Sequence, residues 1–180
     1  LHFRVAETCA LNGQVIAASQ SLRAALDDNP ESAAASGALF EQLLATGDGA
    51  MALHELDRLA EVAPDEPTRA SLRRAAGFYA LALCRDPEGA IQRFRMARDS
   101  DPTDVLSRRA LVHLLGRKSA GSSDASTEIA RFRTAAIDDL LGLTRDADER
   151  EGLLLEKFSA QRYDLKDARA AAQTAEQLVE

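Results

Sequence analysis

Ala45-Thr46-Gly47-Asp48-Gly49-Ala50-Met51-Ala52-Leu53-His54-Glu55-Leu56, closed by Leu59-Ala60-Glu61-Val62-Ala63-Pro64, is the stretch that decides the fold. Two glycines around an aspartate punctuate a turn, and apolar residues then recur at helical spacing until a proline stops them. Working outward, Gly13, Ala18, Leu22 and Pro30 return as Gly47, Ala52, Leu56 and Pro64, each displaced by 34 residues. The last three return again as Ala90, Phe94 and Pro102, each displaced by 38. Every one of these residue types serves a helical hairpin stacked on copies of itself. Ala18, Ala52 and Ala90 fall near the start of a second helix, where a small side chain lets it approach the first. Leu22, Leu56 and Phe94 come one helical turn later and extend the same buried stripe. Proline, lacking an N–H, ends one helix and opens the next unit.

A period near 34 residues is that of tetratricopeptide (TPR) arrays. The opening stretch resembles the TPR turn and second helix. Ala76-Gly77-Phe78-Tyr79-Ala80-Leu81-Ala82, followed by Ala90-Ile91-Gln92-Arg93-Phe94-Arg95-Met96-Ala97 and Asp101-Pro102, resembles the whole two-helix unit. The large aromatic that the family usually carries early in its first helix is absent. The resemblance implies an all-α fold: a right-handed superhelix of about five antiparallel helix pairs, in a single domain over 1–180. Repeats are expected at approximately 1–30, 31–64, 65–102, 103–145 and 146–180. The four extra residues of the third unit are close to one helical turn, so a longer first helix, with Pro67 in its first turn, would absorb them without changing its buried face.

Beyond Pro102 the pattern loosens. Thr103 to Leu115 reads as an amphipathic helix, and Arg117-Lys118-Ser119-Ala120-Gly121-Ser122-Ser123-Asp124-Ala125-Ser126 as a mobile polar linker. Helix is expected to resume near Thr127, with Ile129, Phe132, Ala136, Ile137, Leu140 and Leu141 on one stripe. A last pair is expected from about Ala147 to Arg162 and from about Asp164 to Glu180. Its candidate buried positions are Leu153, Leu154, Phe158, Leu165, Ala168, Ala172, Ala175 and Leu178. The chain opens on Leu1 and not Met, and Leu1-His2-Phe3-Arg4-Val5 has no evident N-cap. A fragment of a longer protein, with an upstream repeat removed, is therefore expected.

With 46% hydrophobic and 28% charged residues, the chain has the material for a folded core. A net charge of −7 opposes nucleic acid and anionic membranes. The cations are interleaved with acids along predicted helices, which describes a solvated face with local ion pairs. No apolar run approaches membrane-spanning length, and no signal segment is present. Cys9 and Cys84 lie far apart in apolar helical segments and are expected as buried free thiols. The Ala-, Arg- and Asp-rich composition is that of a bacterial GC-rich gene. The expected location is the cytoplasm, or the periplasm if a signal or anchor lies upstream.

No catalytic constellation emerges. His2, His54 and His113 lack a second ligand at metal spacing, there is no G-x-S-x-G elbow, and Gly47-Asp48-Gly49 lacks the rest of a phosphate loop. The run Asp146 to Glu151 suits a helix N-terminus, and Met51 and Met96 suit core gaps. Neither enzyme activity, cofactor nor metal is expected.

What the resemblance implies is recognition: a concave groove lined by first helices, holding a peptide or a partner's helix. Carrying the repeat register onto those helices yields Glu7, Glu41, Tyr79 and Leu111, flanked by Ala10, Leu44, Ala82 and Leu114, and by Phe3, Gly37, Ala75 and Ser107. Leu83 and Arg108 complete the candidate binding residues with Glu7, Glu41, Leu44, Tyr79 and Leu111. Phe3 and Glu7 stand where carboxylate-capturing TPRs place cations, so a partner with apolar anchors and a basic residue suits the groove better. A regulatory or targeting module of a larger enzyme or transcription factor is the alternative, or a homo-oligomer assembled through exposed apolar ends.

Overall fold

A computed structural model describes residues 1–119 and 126–179. The expected mobile linker lies largely outside the described residues; its first three positions, 117–119, belong to a helix. Ten α-helices follow one another, and no strand occurs among the described residues. They are α1 (His2–Leu11), α2 (Val15–Asp28), α3 (Ala33–Ala45), α4 (Gly49–Glu61), α5 (Glu66–Ala82), α6 (Pro87–Ser100), α7 (Val105–Ser119), α8 (Ser126–Leu141), α9 (Ala147–Ser159) and α10 (Ala168–Val179). A π-helical turn, Ala160–Asp164, extends α9. Contacts divide the chain into two compact units, Leu1–Asp101 and Pro102–Glu180, whose boundary falls at the expected end of the third repeat.

In the first unit α1 packs on α2, α3 on α4 and α5 on α6, while α2 meets α3 and α4 meets α5, so each hairpin stacks on the next. Ala18, Ala52 and Ala90 each occupy the fourth position of a second helix and are 0% exposed. Leu22, Leu56 and Phe94 are buried one turn later. Phe94 lies so close to α5 that a Cβ on Gly77 would fall 2.7 Å from its ring. Pro30 and Pro64 stand between hairpins as expected. α5 has 17 residues against 13 in α3, which absorbs the four-residue excess of the third repeat. Pro67 sits in its first turn.

Four hairpin turns among the described residues place one residue in a left-handed conformation, and in three of them the side chain of the next residue caps the second helix. Gly13 (φ +71°) and Gly47 (φ +78°) supply it where glycine pays no steric cost. In the third turn Arg85 (φ +51°) takes that place, and in the fifth Lys166 (φ +53°) does. The following aspartates accept from backbone N–H groups in the first turn: Asp48 from Met51 (3.2 Å), Asp86 from Gly89 (2.9 Å) and Asp167 from Ala170 (3.0 Å).

This device corrects the register expected for the last hairpin. Because Asp167 caps α10, the fourth helical position is Ala171, which is buried along with Thr174, whereas Ala168 and Ala172 are exposed. Leu165, Ala175, Leu178 and Phe158 are half-buried. Phe132 is likewise 45% exposed, while Ile129, Ala136, Ile137 and Leu140 of its stripe are buried. Met51 and Met96, expected in the core, are 37% and 41% exposed, because they lie beside the inward Ala–Leu/Phe stripe and not on it. Cys9 and Cys84 are free and half-buried. Asp146 caps α9 from the acidic run as expected.

Polar interiors differ between the units. In the first, Ser36 donates to the buried carboxylate of Glu55 (3.0 Å), which also accepts from Arg58 (3.0 Å). In the second, Asp104 accepts from the backbone N–H and hydroxyl of Ser107, and Thr174 donates to Gln161 Oε1 at 2.7 Å.

Candidate binding groove

A largely apolar cavity of about 360 Å³ forms a wedge between α1 and α3. Phe3, Ala6, Glu7 and Ala10 of α1 form one wall, and Ala38, Glu41, Gln42 and Ala45 of α3 the other, with Val15 and Leu22 of α2 also lining it. The residues on each wall recur every three or four positions, so they share a helix face. Alanines keep the wedge open, since a larger residue at Ala10 or Ala45 would project into it. Gln42 donates its amide to the Val15 carbonyl (3.2 Å), and Thr46 donates its hydroxyl to backbone carbonyls of its own helix. Behind the wedge lies the cluster Ala6, Leu22, Leu26, Ala35, Leu39, Leu43 and Ala52, which fixes the spacing of the three helices.

Of the residues singled out in the sequence, Glu7 and Glu41 are both exposed and line this one cavity. Leu44 is half-buried and packs against the cluster behind it. Tyr79 is half-buried too, its ring set edge-to-face on Phe40, with centroids 5.4 Å apart at 84°. That contact joins α3 to α5 along the first-helix side. Leu83 follows α5, 46% exposed, and its Cβ lies 3.0 Å from where a side chain on Gly49 would begin. Ala10 and Ala82 are exposed, and Phe3, Gly37 and Ala75 half-buried.

Two candidates do not have the accessibility expected of groove residues. Leu111 is 1% exposed and Arg108 6% exposed, and Arg108 donates to the carbonyl of Asp104, the residue just before α7. Both belong to the second unit, where the 34-residue step no longer holds. Sequence reasoning missed Val15, Ala38, Gln42 and Ala45. The Ala38-Glu41-Ala45 spacing on α3 was the available signal, a small-residue face around one carboxylate.

Electrostatics around the first unit consist mainly of tied pairs. Arg93 grips Asp57 through two nitrogens, Nη2 at 2.5 Å and Nε at 2.9 Å, and this hydrogen bonding raises the guanidinium above its ordinary range. Arg73 pairs with Glu61 (3.2 Å) and Arg69 with Glu66. Asp65, the cap of α5, is held below the usual carboxylate value, chiefly by the hydrogen bond from the Thr68 backbone N–H. No group of three or more potential metal ligands occurs among the described residues, and no helix among them is long and apolar enough to cross a membrane.

No family model matches the chain, and no curated protein does. Among solved structures, MamA, a TPR-type protein, superposes with a TM-score of 0.51 at 11% identity, over 99% of this chain and 92% of that one. PilW, described as a widely conserved type IV pilus biogenesis factor, superposes with a TM-score of 0.41 at 18% identity, over 98% and 90% of the two chains. The MamA likeness, with the helix pairs and their recurring turns, defines a TPR-like helical-repeat fold.

Proposed function

We propose that the chain is a protein-interaction scaffold whose first-helix face, centred on the wedge between α1 and α3, holds a peptide or helix of a partner protein. The observation that carries this reading is the wedge itself: an apolar surface left open beside a well-packed core. Exposed apolar concavities of this kind gain free energy when a partner covers them. The edge-to-face contact of Phe40 with Tyr79 stiffens the next step along the same side. The reading gives the chain no catalytic role.

A photo-crosslinking amino acid placed at Ala45, in the wedge, or at Gln92, exposed on α6, tests it. Partner adducts are expected from position 45 and not from position 92; adducts from position 92 alone would overturn the reading. A second reading, self-association, is favoured by apolar side chains left in solvent at Leu1 (99% exposed), Leu11 (89%) and Ile16 (76%). Analytical ultracentrifugation finding only monomer at high concentration removes it.

A further inference from the structure

We infer that the wedge between α1 and α3 is a socket for a lysine or arginine side chain of a partner peptide, its aliphatic stem against the apolar walls and its charged head between Glu7 and Glu41. This rests on the wedge being the partner-binding surface. The two carboxylates occupy the same position in successive repeats, 34 residues apart, and face one cavity from opposite walls. Neither has a hydrogen-bond or ion-pair partner among the described residues, whereas Asp57, Glu55, Glu61 and Glu66 of the same unit each hold an arginine.

The other polar side chains in the lining are engaged with the chain itself. Gln42 donates to the Val15 carbonyl and Thr46 to carbonyls of α3. What remains for a ligand is an apolar sleeve with two negative charges. Like charges facing one cavity repel, and a cation between them converts that repulsion into attraction. Long basic side chains suit such a place because their methylenes bury along apolar surface while the charge stays at the wet rim. An acidic or phosphorylated side chain meets repulsion from both walls, and a purely aliphatic one leaves the carboxylates unmatched.

The probes are fluorescein-labelled 12-residue peptides of one apolar host sequence, differing only in a central lysine, arginine, norleucine or glutamate. Anisotropy titrations are expected to show lysine and arginine peptides binding about five- to tenfold more tightly than the norleucine peptide, with the glutamate peptide weakest. Glu7→Gln with Glu41→Gln should bring all four to the norleucine level, and added salt should narrow the spread. Both residues are exposed, so the double variant keeps the fold, checked by circular dichroism. Ala10→Phe, which fills the wedge, should weaken every peptide. Equal binding of lysine and norleucine peptides, still lost in Ala10→Phe, overturns the cation socket and leaves the binding surface standing. No binding of any peptide, or binding unaffected by Ala10→Phe, overturns both.

Discussion

The first unit and the second fill their interiors with different chemistry. Among the described residues, Leu1–Asp101 buries two polar side chains, Ser36 and Glu55, whereas Pro102–Glu180 buries six: Asp104, Ser107, Arg108, Thr144, Gln161 and Thr174. An apolar, small-residue interior is interchangeable from repeat to repeat, so it leaves a period in the sequence. A polar interior needs a particular partner for each donor and acceptor, and that need breaks the period. The Thr174–Gln161 bond illustrates it: Gln161 lies in the π-helical turn, and the bond ties that turn to the buried face of α10.

The largest expected effect strikes the apolar interior. Phe94, fully buried and stacked edge-to-face with Phe78 at 4.9 Å, also fills the space left by Gly77. Phe94→Ala should cost about 3–5 kcal/mol in urea unfolding. A loss under about 1 kcal/mol would mean that the first unit does not depend on its large inward residues. Next, Thr174→Val leaves the Gln161 side chain without its donor and should cost about 1–3 kcal/mol, with part of the loss recovered when Gln161→Leu is added. Additivity of the two changes would break the comparison, since the polar pair would then not act as a unit.

The turns sharpen the contrast on a smaller scale. Gly47→Ala forces a Cβ into left-handed backbone and should cost about 1 kcal/mol, although nothing crowds the position. The equivalent third turn already carries that strain, so Arg85→Gly should leave stability unchanged or raise it by about 0.5 kcal/mol. The smallest effect is electrostatic. The carboxyl of Asp65 is lowered by its bond to the Thr68 N–H, so its capping contribution is complete at neutral pH and disappears as pH falls through that lowered value. The stability difference between the parent and Asp65→Ala should therefore be constant near neutrality and shrink in acid, as measured by urea unfolding across pH.

Much of the first unit was legible because its determinants are local. Ala at the fourth position, Leu or Phe one turn on and Pro between hairpins are positional necessities, and so was the longer α5. Arg85 and Lys166 gave no sign of left-handed backbone, because L side chains adopt it only when the surroundings hold them there. The register of α10 was misread for the same reason, since the loose turn offered no glycine to place its start. In the groove, the acidic pair was legible from the repeat step, while the neighbouring alanines passed as ordinary helix residues. Leu111 followed an apolar stripe that is inward in a unit with its own period, and Arg108, chosen for its charge, is buried beside it in sequence.

By itself the sequence determined the all-helical class, the hairpin period, the proline boundaries and the recurrence of Glu7 as Glu41. Those features depend on spacing along the chain, which a helix converts directly into a face. Only the tertiary structure decided that Glu7 and Glu41 share one open wedge, that Met51 and Met96 face solvent, and that a lysine and an arginine serve as turn residues. Each of these depends on how closely one helix approaches another, and that distance is set by side chains remote in sequence.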